Sequence, residues 1–271
     1  MSQSQFKPQS QSMIPPTYLA EKNPHPRDAN ISFDEGPHIY TINGDSNYKS
    51  VTTWNHSHFP HFDSDKIISN MMNSPKWPES KYYGQTPEQI KALWKANGNE
   101  AAKAGTKMHY DIECFYNECP RENDSVEYSY FKDFQEDHKN KVAYRTEWMI
   151  YDETLRLAGS IDMTYVNDDG TIDIYDWKRC RNIKKSNPFE SATTKCIEHL
   201  PNCNFWHYAL QLNTYKTILE THYGKKIRDM YLVCLHPENK NKSYIKFAVP
   251  TLESEIKDLF SDRYLDLCKD M

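Results

Sequence analysis

The 271-residue sequence predicts an α/β (α+β) fold, a central mixed β-sheet flanked by helices. Two observations predict it. Three apolar runs of strand length, at 142–151, 155–166 and 171–178, form a cluster, and stretches with apolar residues three and four apart lie on either side of them. The resulting order of helix, three strands, helix, strand belongs to a mixed domain.

Residues 1–28 are rich in Gln, Ser and Pro with few apolar anchors, so a disordered tail is expected there. Over 39–42 apolar residues alternate, and Asn43-Gly44 is a hairpin signal. Ile67, Ile68, Met71 and Met72 recur at helical spacing and predict a helix over 63–73. In TPEQIKALWKA, Thr86 is a ready N-cap and Pro87 suits the first helical position. After Gly98 a second helix is expected over 100–117, with Met108, Ile112 and Phe115 as its apolar stripe. The helix expected at 204–223 repeats Phe205, Tyr208, Leu212, Tyr215 and Leu219. Strands at 230–235 and 244–249 and a last helix from Leu252 complete the chain. The expected organisation is one domain over 29–271: an N-terminal substrate-binding part (29–98), a core (99–250) and a C-terminal helix (251–271).

Composition narrows the function. Hydrophobic residues make up 38% and charged ones 26%, and no run approaches the ~20 apolar residues of a membrane helix. The first residues lack a signal-peptide pattern, so an intracellular location is expected. Seven cysteines without a CxxC pair read as reduced thiols, with no zinc site. The net charge of −5 argues against nonspecific polyanion binding over the whole surface, but not against a local basic track.

The stretch LAGSIDMTYVNDDGTIDIYDWKRC places charges inside two apolar strands. If Asp168, Asp169 and Gly170 form a three-residue loop with Gly170 left-handed, Asn167 faces Thr171 and Asp162 lies opposite Asp176. Alternation then puts Lys178 on the same face. Two carboxylates that close call for a cation between them, and hard oxygen ligands suit Mg²⁺ or Mn²⁺. An Asp–Lys ion pair at a strand end is the bland alternative.

GSID at 159–162 followed by DWK at 176–178 resembles the GxxD … DxK core of the PD-(D/E)xK nuclease superfamily, which has a restriction-endonuclease-like core. Gln211 and Tyr215 in QLNTY match the QxxxY motif of its RecB-type branch, and GTKMHYDIE at 105–113 is similar to that branch's first-helix motif. The DWK form and SVTT at 50–53 are most similar to mitochondrial genome-maintenance exonucleases and their viral and phage relatives, with lambda exonuclease a more distant analogue. The resemblance implies that Asp162, Asp176 and the carbonyl of Trp177 bind the metal and that Glu113 completes its shell. It implies that Lys178 acts on the attacking water, and that Gln211 and Tyr215 orient Lys178 or hold the DNA strand. His109 shares a helix face with Glu113 and is counted with the substrate-binding residues. Glu147 falls on the strand where relatives often carry an acid, or else pairs with Arg145 or Lys178.

Arg179, Arg181, Lys184 and Lys185 form a local basic cluster after the DWK strand where phosphates can run. Trp206, Tyr208 or Phe59 could stack unpaired bases. HSHFPHFD, with His56, His58 and His61, reads as an aromatic, polar loop. The expected activity is an Mg²⁺-dependent deoxyribonuclease, an exonuclease of DNA replication, repair or recombination acting on single strands or duplex ends, with no iron–sulfur cluster. The alternatives are a structure-specific endonuclease, an inactive DNA-binding module, or a phosphatase acting on small substrates. The basic cluster and the absence of a Gly-rich phosphate loop argue against the last.

Overall fold

The computed structural model describes residues 15–269. Its frame is a six-stranded mixed sheet carrying helices on both faces. The central strands are β4 (Val142–Asp152), β5 (Leu157–Val166) and β6 (Ile172–Lys178), consecutive and antiparallel. After helix α6 (Asn204–His222), β7 (Ile227–Cys234) returns parallel to β6, and β8 (Ile245–Ala248) closes that edge. The chain therefore adopts the expected order of helix, three strands, helix and strand.

One face of the sheet packs on α6 and on helix α7 (Glu253–Lys269) through Ile161, Ile174, Leu212, Ile218 and Ile256. The other packs on helices α4 (Pro87–Tyr116) and α5 (Val126–Asp137) through Met163, Tyr165, Tyr175, Trp177, Ile112 and Phe131. Helix α5 is not expected from the sequence. Its apolar positions are mostly aromatic (Tyr128, Tyr130, Phe131, Phe134), and they interlock with Trp177 and Tyr175.

Helix α4 corrects a second expectation. Thr86 caps it as predicted, with a reciprocal bond from Gln89, but it does not stop at Gly98. One helix of 30 residues continues to Tyr116. A mid-helix glycine costs only about 1 kcal/mol relative to alanine, too little to break a helix among Ala, Lys and Glu. No residue from Lys91 to Lys107 is buried; Ile90 is buried near the start of the helix, and from Met108 onward its C-terminal end enters the core against the sheet.

The N-terminal segment differs from the expected tail. Residues 1–14 lie outside the described residues, but helix α1 (Tyr18–Lys22) and a 3-10 turn (Pro26–Asn30) are ordered against β4. Leu19 is buried, and Asp28 takes a 2.7 Å ion pair from Arg145 and a 3.1 Å hydrogen bond from Trp148 Nε1. The hairpin that follows pairs β1 (Ile31–Asp34) with β2 (Ile39–Ile42), and its turn is 35–38. Asn43-Gly44 makes the next tight turn, both residues at positive φ, bridging Ile42 to Asp45. Short strand β3 (Lys49–Ser50) leads into helix α2 (Val51–His56), capped by Ser50, and helix α3 (Ser64–Met72) follows.

Candidate active site

The β5–β6 turn sets the site. Gly170 has φ +80°, its N–H bonds Asn167 O at 2.8 Å, and Asn167 N–H bonds Thr171 O at 2.9 Å. Pairing then runs Val166↔Ile172, Thr164↔Ile174 and Met163↔Tyr175, the register expected from the three-residue loop. Its next step would set Asp162 against Asp176, and there the strands separate. The Trp177 N–H no longer bonds a strand carbonyl partner on β5 and instead donates to Asp162 Oδ2 at 2.8 Å.

The separation follows from how β5 is shared. β4 covers one of its edges from end to end. The other edge is divided between β3, which pairs with Leu157 and Ala158, and β6, which begins at Met163. Residues 159–162 face the fork between them. The apolar alternation of β5 also resets there: Leu157 and Ile161 belong to the α6 side, Met163 and Tyr165 to the α4/α5 side. Across the ladder, Glu147 lies between the Thr146↔Met163 and Trp148↔Ile161 pairs and has φ +40°. A glutamate in left-handed backbone within a strand costs about 1–3 kcal/mol, the kind of strain found at functional sites.

Helix α4 delivers His109 and Glu113 to this fork on one face, as the i, i+4 spacing predicts. His109 Nδ1 lies 3.5 Å from Asp162 Oδ2 and 3.7 Å from Glu147 Oε1, and Ser160 Oγ donates to Glu147 Oε2 at 2.8 Å. Ligand atoms of His109, Glu147 and Asp162 lie within 4.8 Å of one another, and these three residues could hold a divalent metal ion. Beside them Lys178 Nζ is 2.7 Å from Asp176 Oδ2. That oxygen is nevertheless buried without a properly directed hydrogen bond. With one ammonium contact and no directed hydrogen bond, this carboxylate oxygen keeps the capacity to bind a further cation.

Electrostatics carry the same message. Burial pushes the Asp162 carboxyl up to about 7, with Asp176 and Glu147 adding to the rise and His109 and Lys178 opposing it. Burial, reinforced by Glu147, pushes Glu113 up to about 8. His109 is raised to about 9 because its acidic neighbours Asp162 and Glu147 outweigh its burial. Without a metal, a protonated imidazole therefore stands among the acids. Burial opposes ionisation of Lys178, and the charges of Asp176 and Asp162 outweigh it, holding its pKa above the usual lysine range. A cavity of about 410 Å³, lined by His109, Glu113 and Glu147, leads to this cluster.

The other expected residues divide into near and far. Gln211 Nε2 donates to Tyr215 Oη at 3.0 Å, and both are buried on α6. The hydroxyl end of the Tyr215 ring lies against Gly159, where a Cβ would sit 2.7 Å from its Cε1, so any larger residue at the head of the GSID stretch forces the ring to move. Tyr208 lies beneath Lys178, the ammonium 4.6 Å from the ring centre. Arg179 is engaged elsewhere, 2.5 Å from Glu127 of α5, and Arg181 pairs with Glu238 at 2.5 Å. Lys184 and Lys185 are exposed at the start of α6. Arg145 pairs with Asp28, which leaves Glu147 to His109 and Ser160.

His56, His58 and His61 belong to no cluster of three metal-ligating residues among the described residues. His58 bonds Thr194 Oγ1 at 2.8 Å, while His56 and His61 border a cleft of about 680 Å³ with Phe59, Phe62 and His207. Sequence reasoning left Glu147 between two roles and expected Glu113 and Asp176 as ligands. The tight group is instead His109, Glu147 and Asp162, with Glu113 and Asp176 at its border. The acid on the strand before GSID was the available signal.

No family model matches the sequence, and no curated protein is significantly similar to it. Among solved structures, the chain is similar to SSO0001, at 14% identity and a TM-score of 0.36, over 82% of this chain and 77% of that one. It is also similar to the alkaline exonuclease LHK-Exo from Laribacter hongkongensis, at 10% identity and a TM-score of 0.34, over 80% of this chain and 91% of that one.

Proposed function

We propose that the protein is a metal-dependent deoxyribonuclease of the PD-(D/E)xK superfamily, RecB-type branch, acting as an exonuclease in replication, repair or recombination inside the cell. The observation that carries this reading is the fork in the sheet. There His109, Glu147 and Asp162 converge, and a buried Asp176–Lys178 pair adjoins them. The Gln211–Tyr215 pair packed on Gly159 supports the RecB-type assignment, because it ties that motif to the GSID strand.

Asp162 and Glu147 would hold Mg²⁺ or Mn²⁺, with Asp176 and Glu113 completing the acidic shell directly or through water. When bound, the ion supplies positive charge that lowers the pKa of water and stabilises the phosphorane-like oxygens of in-line attack. His109 keeps the acids compensated in the metal-free protein and has to lose its proton to serve as a ligand. Lys178, released from Asp176, would orient the attacking water or offset charge on the scissile phosphate. Trp177 N–H fixes the Asp162 carboxylate. Lys184 and Lys185, exposed beyond β6, would draw the phosphate backbone towards the fork. The cleft beside His56 and Phe62, the latter 72% exposed, would receive unpaired bases.

End-labelled linear and closed-circular DNA, single- and double-stranded, incubated with Mg²⁺, Mn²⁺ or EDTA beside Lys178→Ala, tests the reading. Metal-dependent loss of linear DNA alone, abolished by Lys178→Ala, is expected, and the label pattern then gives the polarity. Cleavage of circles would replace the exonuclease with an endonuclease. Intact DNA of every form would remove the DNase activity altogether.

A further inference from the structure

Two of the seven cysteines face each other at the exit of the DWK strand. Cys180 Sγ lies 3.7 Å from Cys234 Sγ, and the Cys234 thiol points at Cys180 O at 2.8 Å. Both are free thiols: Cys234 is buried at the end of β7, and Cys180 is half-buried and closer to solvent. Cys234 is also the strand partner of Lys178, and the Leu235 N–H bonds Lys178 O at 2.8 Å. The two sulfurs are thus in contact and unbonded, one two residues beyond Lys178 and the other directly across from it.

We propose that Cys180 and Cys234 are a reversible modification site, closing into an intramolecular disulfide under peroxide and thereby displacing Lys178. The functional half rests on the nuclease reading above; the bond itself does not. In the first step one of the two sulfurs, as thiolate, attacks one oxygen of hydrogen peroxide. The O–O bond breaks, the departing hydroxide takes up the proton the thiol had released, and the sulfenic acid and one water result. In the second step the other sulfur attacks the sulfenyl sulfur, the S–O bond breaks, and hydroxide leaves with the thiol proton as a second water. Two thiols are oxidised by two electrons and one peroxide is reduced to two waters.

Closing the contact to the length of a disulfide, about 2.05 Å, draws the start of the 179–185 loop towards β7. A catalytic group tolerates about 0.5 Å of misplacement, so a pull on the residues flanking Lys178 is enough to disturb it. The same movement shifts Arg181, Lys184 and Lys185 with the loop. Thiol reductants of the cell would restore the dithiol by exchange.

The test uses the full-length chain. It is treated with hydrogen peroxide, blocked with N-ethylmaleimide, digested without reduction and read by mass spectrometry, beside Cys180→Ser and Cys234→Ala. A Cys180–Cys234 cross-linked peptide that dithiothreitol removes is expected. On the same samples, DNA cleavage falls at least tenfold on oxidation, returns with dithiothreitol, and resists peroxide in Cys180→Ser. Both thiols recovered as maleimide adducts, or either cross-linked to another cysteine, would overturn the site. A disulfide that forms while cleavage is unchanged would overturn its effect on Lys178. Should the protein cut no DNA in either state, the nuclease reading fails and the peptide analysis still decides the bond.

Discussion

Strand β6 carries two buried aspartates three residues apart, Asp173 and Asp176, and they live in opposite circumstances. Asp173 is compensated on every side: Lys141 at 2.8 Å, Arg228 at 3.0 Å and Asn167 at 2.9 Å, so that its pKa is lowered despite its burial. Asp176 has one lysine and an oxygen without a directed hydrogen bond, its neighbour Asp162 is pushed up to about 7, and Glu113, beside Glu147 and His109, is pushed up to about 8. A buried acid with a full set of partners is architecture. A group of buried acids with too little positive charge is waiting for a ligand.

The largest expected effect breaks this comparison at its centre. Lys178→Ala should lower DNA cleavage about 10²–10⁴-fold and also cost stability, because it leaves the buried Asp176 without its cation. Asp176→Asn should lower cleavage as much while the melting temperature stays near wild type or rises. Asp173→Asn should do the reverse. It leaves Lys141 and Arg228 facing an uncharged group and should cost about 3 kcal/mol in urea unfolding, the low end for a broken buried pair because both cations reach solvent. Its folded fraction should cut at the wild-type rate. Equal loss of stability in Asp176→Asn and Asp173→Asn would remove the distinction.

Metal sharpens it next. At 100 times its dissociation constant, Mg²⁺ or Mn²⁺ should stabilise the wild type by about 2.7 kcal/mol, read as a rise in melting temperature. Asp162→Asn and Glu147→Gln should lose most of that rise, and Asp173→Asn should keep it. Gly159→Ala, which sets a methyl group against the Tyr215 ring, should cost about 1–3 kcal/mol. In a double-mutant cycle with Tyr215→Ala the two losses should be strongly non-additive.

The smallest effect is the dependence on pH, and its sign differs between the two aspartates. Asp173 has a lowered pKa, so its stabilisation is present above the ordinary Asp range and is lost as pH falls through its folded value. Asp162, Glu113 and His109 have raised values, so their contribution is present at low pH and is lost as pH rises through about 7, 8 and 9. The metal-free protein should therefore melt at falling temperature between pH 6 and 9 (assay values), and saturating Mg²⁺ should flatten that slope. A slope unchanged by metal would detach these groups from the metal site.

Much of this was legible in the sequence for local reasons. Gly170 after Asp168-Asp169 favoured a three-residue loop, and the period of two then carried the β5–β6 register as far as Met163 and Tyr175, where the strands separate. Thr86, Pro87 and Gln89 announced the start of α4, and the four-residue spacing of His109 and Glu113 put them on one face. Elsewhere the local signals misled. Gly98 looked like a stop and is not one, because propensity alone does not end a helix. Helix α5 has an aromatic-rich apolar face that makes sense only against Trp177 and Tyr175. The Gln/Ser/Pro composition before residue 28 concealed Leu19 and Asp28, whose partners lie more than 90 positions away.

The sequence by itself determined which residues could do chemistry: two aspartates on opposed strands, a lysine two residues on, and a histidine and glutamate one helical turn apart. These relations depend on spacing within an element or across one turn, which backbone geometry fixes. Only the tertiary structure decided how they group. The sharing of one β5 edge between β3 and β6 opens the fork, the reversed backbone at Glu147 brings a third acid in, and Arg145 is drawn off by Asp28. Those are long-range contacts, chosen by packing and charge compensation across the whole sheet, and no periodicity in the chain encodes them.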